Sequence, residues 1–517
     1  MSQVQLQAVT GRNTHQVQLA GVAVALAFAF AYACWWAAGL AHGYGAPPLD
    51  SAEQLVWSYS LEASYWKHPP LPSWIMHGLT QVFGPSVALP FFAAEISAAL
   101  ALALLWRLGA EIFGPGRSLL AAALTALVGY HSWQAESYNH NSALLPFQAA
   151  VTLFFYLAVR RGYWHLWLLT GVCAGLAMLV KYAALFPLCG LLIYLALDRQ
   201  ARNRRTASGL ALAAAAAASV FAPHVVWLQL HDYSTLHYAS SVAQPLSGFR
   251  AWAANLGEFG EAQLLTLMPL LMVVAWMAWS LRGPAREAGA VASASDRRFL
   301  WTAGLAPLLL VVLSGTVARC EILPRWGYNV FLLAGWLALD ALRWPADRIV
   351  PALRVCVGFN LVLWTAMAIL VPELKEAIGW QGRSNFPGRE LATLVQETWS
   401  GHARQPLRIV ISDTWLGGTI AAYRPLPLAV LADGDPARAA WVSEADVRAC
   451  GAVVVLDRTG GSSLPQPTVS RWLVLSDVHG EWQLPWAPSR GLRHPWGLTT
   501  RIAWGVIEPR DPGDCRL

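Results

Sequence analysis

Two neighbouring stretches keep charge where the chain is otherwise apolar. LDSAEQLVW (49–57) carries Asp50 and Glu53, and YWKHPPLPSW (65–74) carries Lys67 and His68. A carboxylate at a water–lipid boundary can take a proton from a hydroxyl, and a cation beside it can hold a phosphate. The same residues also have a purely structural reading. Asp50 as N-cap with Glu53 at the third helical position makes an acidic capping box worth about 1 kcal/mol. Lys67 between Trp66 and Trp74 suits a snorkelling side chain in an interfacial belt. The two readings of the carboxylates are compatible, since a cap fixes a carboxylate in place. Pro69, Pro70 and Pro72 predict a break in any helix and an extended segment that displays Lys67 and His68.

Four later stretches carry similar groups. ESYNHNSALLPF (136–147) places Asn139, His140 and Asn141 together at the mouth of an apolar run, able to read sugar hydroxyls or to cap a helix. MLVKYAALFP (178–187) sets Lys181 between two apolar runs, where an ionisable group is a functional candidate, although a short outer turn explains it equally well. PHVVWLQLHDYSTLHYA (223–239) brings His224, His231, Asp232 and His237, with spacing too irregular for a convincing metal site. CEILPRWGYN (320–329) brings Glu321 and Arg325, the arginine suited to bidentate phosphate binding or to a glutamate partner.

The elements that must position these groups follow from composition. Of 517 residues, 56% are hydrophobic and 13% charged, about half the charge of a soluble chain. The deficit lies in residues 18–371, which predicts a mainly α, polytopic transmembrane bundle. Apolar runs near 18–41, 86–106, 118–133, 142–159, 164–180, 183–197, 206–230, 263–281, 299–315, 326–342 and 349–371 give about eleven spans, with short amphipathic helices in the outer loops. The first run exceeds twenty residues after a polar start to about residue 17, which predicts an uncleaved signal anchor. Arginine orients the bundle: Arg107, Arg117, Arg160, Arg161, Arg199, Arg202, Arg204, Arg205, Arg282, Arg286, Arg297, Arg298, Arg343 and Arg348 fall on one side, taken as inner, with the N-terminus. The outer loops keep only Lys67, Lys181, Arg250, Arg319 and Arg325. Lysine occurs only at Lys67, Lys181 and Lys375, so two of three stand against the positive-inside trend, as a bound anion would require.

Residues 1–371 thus read as the membrane domain and 372–517 as a soluble extracytoplasmic one. RIVISD (408–413), AAWVSEADVRAC (439–450) and GAVVVLD (451–457) alternate strand and helix, predicting a small α/β domain. Gly417-Gly418 and Gly460-Gly461 read as turns. The net charge of +6 does not imply nucleic acid, because the arginines sit in short clusters between spans. No two of the seven cysteines form a CxxC pair. Cys34, Cys173, Cys189 and Cys356 read as small core residues, and Cys450 and Cys515 are free to pair if the tail is extracytoplasmic.

D-x-A-E at 50–53, KHPPLPSW, YNHNSALLPF, MLVKY and PHVVWLQLHDY together resemble the bacterial C-type glycosyltransferases. The resemblance is to the protein O-mannosyltransferase-like branch that includes lipid A aminoarabinose transferases and rhizobial lipopolysaccharide galacturonosyltransferases. It runs in order through roughly residues 20–340, and FPGRELA (386–392) and ISDTW (411–415) in the tail look like a subgroup of it. It implies an enzyme of the bacterial inner membrane that uses polyprenyl-phosphate sugars on the periplasmic face. The acceptor would be a lipid, a glycan or a protein, in contact with membrane lipids. The catalytic acid of the first outer loop falls on Asp50 and the second acidic position on Glu53. Lys67, Lys181, Arg325 and His68 would hold the donor phosphate, and Tyr65, Asn139, His140, Asn141, His231 and Asp232 would contact substrate. Family members often begin the motif with adjacent acidic residues; here Ser51 follows Asp50, so a divalent cation is left open. Direct attack at the anomeric carbon would invert it, and no residue announces itself as the nucleophile that retention needs. Two other classes compete: a secondary transporter or flippase, which would place charges near the bilayer midplane in two related halves, and a non-catalytic scaffold.

Overall fold

The computed structural model describes residues 27, 29–41, 43–281, 292–378, 380–424, 427–459, 467–486 and 498–517. The first part of the expected span near 18–41, together with Arg282, Arg286 and Gly460-Gly461, lies outside them. Among the described residues six helices are long and apolar enough to cross a membrane: Ala88–Phe113, His140–Arg161, Arg204–Leu230, Gly248–Ser280, Ala294–Ala318 and Ala346–Lys375. Ala29–Ala41, Trp164–Val180 and Tyr182–Leu197 are shorter apolar helices. Two expected spans are only partly helical. The run near 118–133 is helix Pro115–Thr125 followed by 3-10 turns at Gly129–His131 and Trp133–Glu136, and that near 326–342 is helix Ala334–Leu342 after the turn Pro324–Gly327. Apolar sequence reports burial rather than helicity, and irregular backbone survives at membrane depth where protein surrounds it.

The centre of the bundle is the pair Ala88–Phe113 and His140–Arg161, 72% and 78% buried, against 17% for Arg204–Leu230. Small residues set the close approaches. A side chain at Gly171 would strike the Ala213 backbone, so helix Trp164–Val180 packs directly on Arg204–Leu230, as glycine permits between membrane helices. Cys356 is buried as expected, whereas Cys189 is exposed on its helix.

After the last long helix the chain forms a five-stranded sheet, β1 (Ile409–Ser412), β2 (Ala429–Ala432), β3 (Ala452–Asp457), β4 (Val478–Pro485) and β5 (Thr499–Ile507), in the order β2-β1-β3-β5-β4. β1 lies parallel between β2 and β3, while β5 is antiparallel to both β3 and β4. β1 and all of β3 but its last residue are buried, as central parallel strands require. Cys450 and Cys515 form a disulfide.

Gly417 and Gly418 are not a turn. They lie inside helix Thr414–Ala422, capped by Asp413, whose side chain accepts from the amides of Trp415 and Leu416. A Cβ at Gly418 would come within 2.5 Å of the Ala52 carbonyl, so the glycine is there to let this helix lie against helix Leu49–Trp57. Trp415 Nε1 donates to the Pro47 carbonyl at 2.9 Å and the Tyr423 hydroxyl to that of Gly45 at 3.0 Å. Ala46, Val56, Trp57 and Tyr65 share one hydrophobic core with the sheet. The loop that follows the first helix is therefore built into the sheet unit.

Candidate active site

Helix Leu49–Trp57 begins directly after Pro48, and no side chain caps it. Pro48 enters with φ −53° and ψ 151°, a conformation its ring favours, which starts the helix two residues earlier than a cap at Asp50 requires. Asp50 thus lies in the first turn, exposed, where the helix dipole favours a carboxylate. Ser51 points inward. It is fully buried and its Oγ accepts from the Tyr138 amide at 3.0 Å, so it locks this helix to the segment before His140. No group of three or more His, Cys, Asp or Glu side chains arranged to hold a metal occurs among the described residues.

Asn139 joins the two segments chemically. Its Oδ1 caps helix His140–Arg161 by accepting from the amides of Asn141 and Ser142 at 2.8 and 3.2 Å. With Oδ1 so committed, Nδ2 is the free donor, and it donates to Asp50 Oδ2 at 3.0 Å. The capping function expected of Asp50 belongs to Asn139, which holds Asp50 as well. Asn141, one residue into the helix, accepts from Lys181 Nζ on its Oδ1 at 2.5 Å.

The second stretch is folded around Lys67. The Ser64 hydroxyl and Tyr65 amide both donate to the His68 carbonyl, at 3.1 and 3.2 Å, closing a tight loop. Pro70 flanks helix Leu71–Phe83 and Pro72 sits in its first turn, so these prolines start a helix where an extended segment was expected. Lys67 Nζ lies 2.5 Å from Glu53 Oε1 and 5.8, 5.5 and 5.6 Å from the ring centres of Trp57, Trp66 and Tyr238. Glu53 is 5% exposed. Burial pushes its carboxyl up to about 7, although Lys67 pulls the other way. Burial alone would lower the Lys67 ammonium, but the Glu53 carboxylate raises it.

His68 lies against His140, with ring centroids 4.0 Å apart and the planes tilted by 37°. Burial, with the charges of Lys67, Lys181 and Arg325, holds His68 well below the usual histidine range, so its ring is neutral at physiological pH. His140 Nε2 donates to the Pro69 carbonyl at 3.3 Å, which leaves Nδ1 as an acceptor. Arg325 is exposed in its 3-10 turn and has no side-chain partner among the described residues, while its charge reaches both His68 and Lys181.

The structure thus gathers Asp50, Glu53, Lys67, His68, Asn139, His140, Asn141, Lys181 and Arg325 into one electrostatically coupled cluster. Tyr65 is beside it but turned inward: it is 3% exposed, stacks on Trp57 at 4.7 Å, and its hydroxyl faces the carbonyls of Trp57 and Ser60. That geometry fits holding the loop rather than touching substrate. His231 and Asp232 are not drawn in. His231 stacks on Trp227 at 4.0 Å, Asp232 takes a left-handed backbone (φ 50°), and both are exposed. Two residues went unnoticed in the sequence. Trp57 lies one helical turn after Glu53, a visible signal. Tyr238 stands beside the more conspicuous His237, and only helix Ser234–Val242 turns it toward Lys67.

The chain is similar to several known proteins. Residues 67–227 match the family model described as dolichyl-phosphate-mannose-protein mannosyltransferase. In Rhizobium johnstonii, the lipid A galacturonosyltransferase RgtD is 26% identical over 310 residues, 57% of this chain and 61% of RgtD. The lipopolysaccharide core galacturonosyltransferase RgtA of the same organism is 27% identical over 404 residues, 73% of this chain and 76% of RgtA. The fold is that of ArnT from Cupriavidus metallidurans, whose crystal structure bound to undecaprenyl phosphate aligns with a TM-score of 0.61 over 96% of this chain and 100% of that one, at 14% identity. In fold and in sequence the chain is similar to C-type membrane glycosyltransferases.

Proposed function

We propose that this protein transfers a sugar from a polyprenyl-phosphate donor to a saccharide-bearing lipid of the bacterial envelope, at the outer face of the inner membrane. The observation that carries the reading is Asp50, held by Asn139 beside three cations, one of them unpaired. Asp50 takes the proton of the acceptor hydroxyl as its oxygen attacks the anomeric carbon. The bond from that carbon to the phosphate oxygen breaks, and the electron pair leaves with polyprenyl phosphate. Lys181 and Arg325 stabilise the charge that develops on it, with Lys67 held alongside by Glu53. A single displacement inverts the anomeric centre. Glu53 is a positioning residue in this scheme, because its carboxylate is turned to Lys67.

The relatives' names favour lipid A or core lipopolysaccharide as acceptor over a protein. The arginine asymmetry supports a cytoplasmic N-terminus and a periplasmic site, and the Cys450–Cys515 disulfide suits an oxidising compartment. The transporter reading loses ground because the charges gather at one rim of the bundle.

The test compares envelope lipids by mass spectrometry in a deletion strain complemented with wild type or Asp50→Asn, at equal membrane levels. A sugar-sized mass lost on deletion and restored only by wild type is expected, and it names the sugar. Full restoration by Asp50→Asn would remove Asp50 as the base; no mass change in any strain would sink the transfer reading.

A further inference from the structure

The turn between β2 and helix Glu444–Cys450 reaches back over the site. Arg438 lies 4.8 Å above the ring of Trp66, the face of which also meets Lys67 at 5.5 Å. Its guanidinium is held by Asp433 at 2.6 Å and, more loosely, by Asp435 at 3.8 Å. Trp441, at the end of the turn, meets Tyr65 edge-on at 6.2 Å, and its indole N–H is shielded from water without a partner among the described residues. A chain of contacts therefore runs Glu53–Lys67–Trp66–Arg438–Asp433, from the buried ion pair to the sheet unit.

The turn is rigidly built. Asp433 has φ 55°, a left-handed conformation that costs energy for a residue with a Cβ and persists where neighbours hold it. Its amide donates to the Ser412 carbonyl at 2.7 Å, and Trp472 Nε1 fixes the next carbonyl, that of Gly434, at 2.9 Å. Its charged ends remain wet: Asp433, Asp435 and Arg438 side chains are 27, 39 and 42% exposed. Two carboxylates and one guanidinium leave the turn net negative, so it repels phosphate and suits hydroxyls, which carboxylates accept and a guanidinium donates to. Indole faces beside such a fork offer a platform for a sugar ring.

We propose that the Asp433–Trp441 turn, with Trp66, is a subsite for the saccharide headgroup of the acceptor, reading its hydroxyls on the water side of Lys67. The inference rests on the transfer reading above. The donor's lipid enters from the membrane side, toward Lys181 and Arg325, and the acceptor sugar sits across the cluster, against the sheet unit. On this reading the two substrates are divided between two parts of the chain.

The test uses full-length enzyme in lipid nanodiscs, with the polyprenyl-phosphate sugar identified by the mass shift and lipid A as the acceptor probe. KM is measured for each substrate separately. Asp433→Asn and Asp435→Asn keep shape and, at 433, a side chain that tolerates the left-handed backbone. Each is expected to raise the acceptor KM about tenfold, as for lost charged hydrogen bonds, and to leave the donor KM within about twofold of wild type. Deacylated lipid A saccharide should inhibit wild type competitively and both variants less. An unchanged acceptor KM, or equal rises for both substrates, would show a clamp between the sheet and the membrane body and overturn the subsite. A wild type that moves no sugar to lipid A overturns the subsite together with the transfer reading.

Discussion

The two rims of the bundle hold their charges differently. At the arginine-rich rim five arginines answer carboxylates. Arg107 and Arg161 meet Glu111 at 2.5 and 2.8 Å, Arg160 pairs with Asp296, Arg297 meets Asp340 at 2.9 Å and Arg298 meets Asp198 at 3.3 Å. At the site rim, neutral amides hold the charges: Asn139 holds Asp50, Asn141 holds Lys181, and Arg325 has no partner among the described residues. Charges matched to one another are spent on structure. Charges held in place by neutral groups keep their field for a ligand, and burial strengthens that field. Lys67 and Glu136 are exceptions at the site rim, matched by Glu53 and Arg383.

The comparison predicts a ranking of effects. Asp50→Asn removes the base and should lower turnover by about 10²–10⁴-fold, measured as sugar transferred per enzyme molecule in vesicles. Lys181→Ala should cost about 10²-fold in donor kcat/KM with insertion intact, checked by initial rates and by membrane yield. Unchanged donor kinetics would take Lys181 out of the phosphate cradle and blur the distinction between the rims.

Glu53 gives a smaller effect with a definite sign. Its carboxyl is raised to about 7 by burial, so above that pH it is ionised and offsets Lys67. Below it Glu53 carries a proton, and the Lys67 charge is uncompensated. The phosphodiester donor keeps its charge throughout, so its KM should fall several-fold between about pH 8 and pH 6. Glu53→Gln should show the low KM at both ends. A donor KM that follows the same pH curve in wild type and variant would mean that Glu53 does not govern Lys67.

How much of this was visible in sequence depends on range. Asp50, Lys67 and Lys181 stand out because each is charged beside apolar runs, and Asn139 because a polar residue at the start of an apolar run caps it. The cap itself was assigned to the wrong partner: Asp50 and Glu53 satisfy the spacing, but Pro48 starts the helix earlier, a matter of backbone angle. In sequence Gly417 and Gly418 read as a turn, whereas Gly418 answers to the surface of Ala52 and Gly417 to Val430. Lys67 looked free because Glu53, though quoted beside it, turns toward it only once the loop closes on the His68 carbonyl. Tyr238 and Arg438 reach the site through tertiary packing alone, and no local pattern announces such contacts.

The smallest effect on catalysis is expected at the arginine-rich rim, and it tests the comparison from its other side. Asp340 is almost wholly buried and accepts from both Arg297 Nε and Trp301 Nε1, at 2.9 and 2.8 Å. Both bonds go to Oδ2, so Asp340→Asn can keep its carbonyl oxygen there for both donors but removes the charge that answers Arg297. Arg297 is 41% exposed and can turn to water, so the loss should be about 1–3 kcal/mol of stability, short of the larger cost of a fully buried unpaired charge. Thermal unfolding of the purified protein should show a lower midpoint, while turnover per folded molecule stays at the wild-type level. A fall in turnover as deep as that of Lys181→Ala, at normal stability, would mean that the matched charges also act on the substrate. The division between charges held for structure and charges held for ligand would then fail.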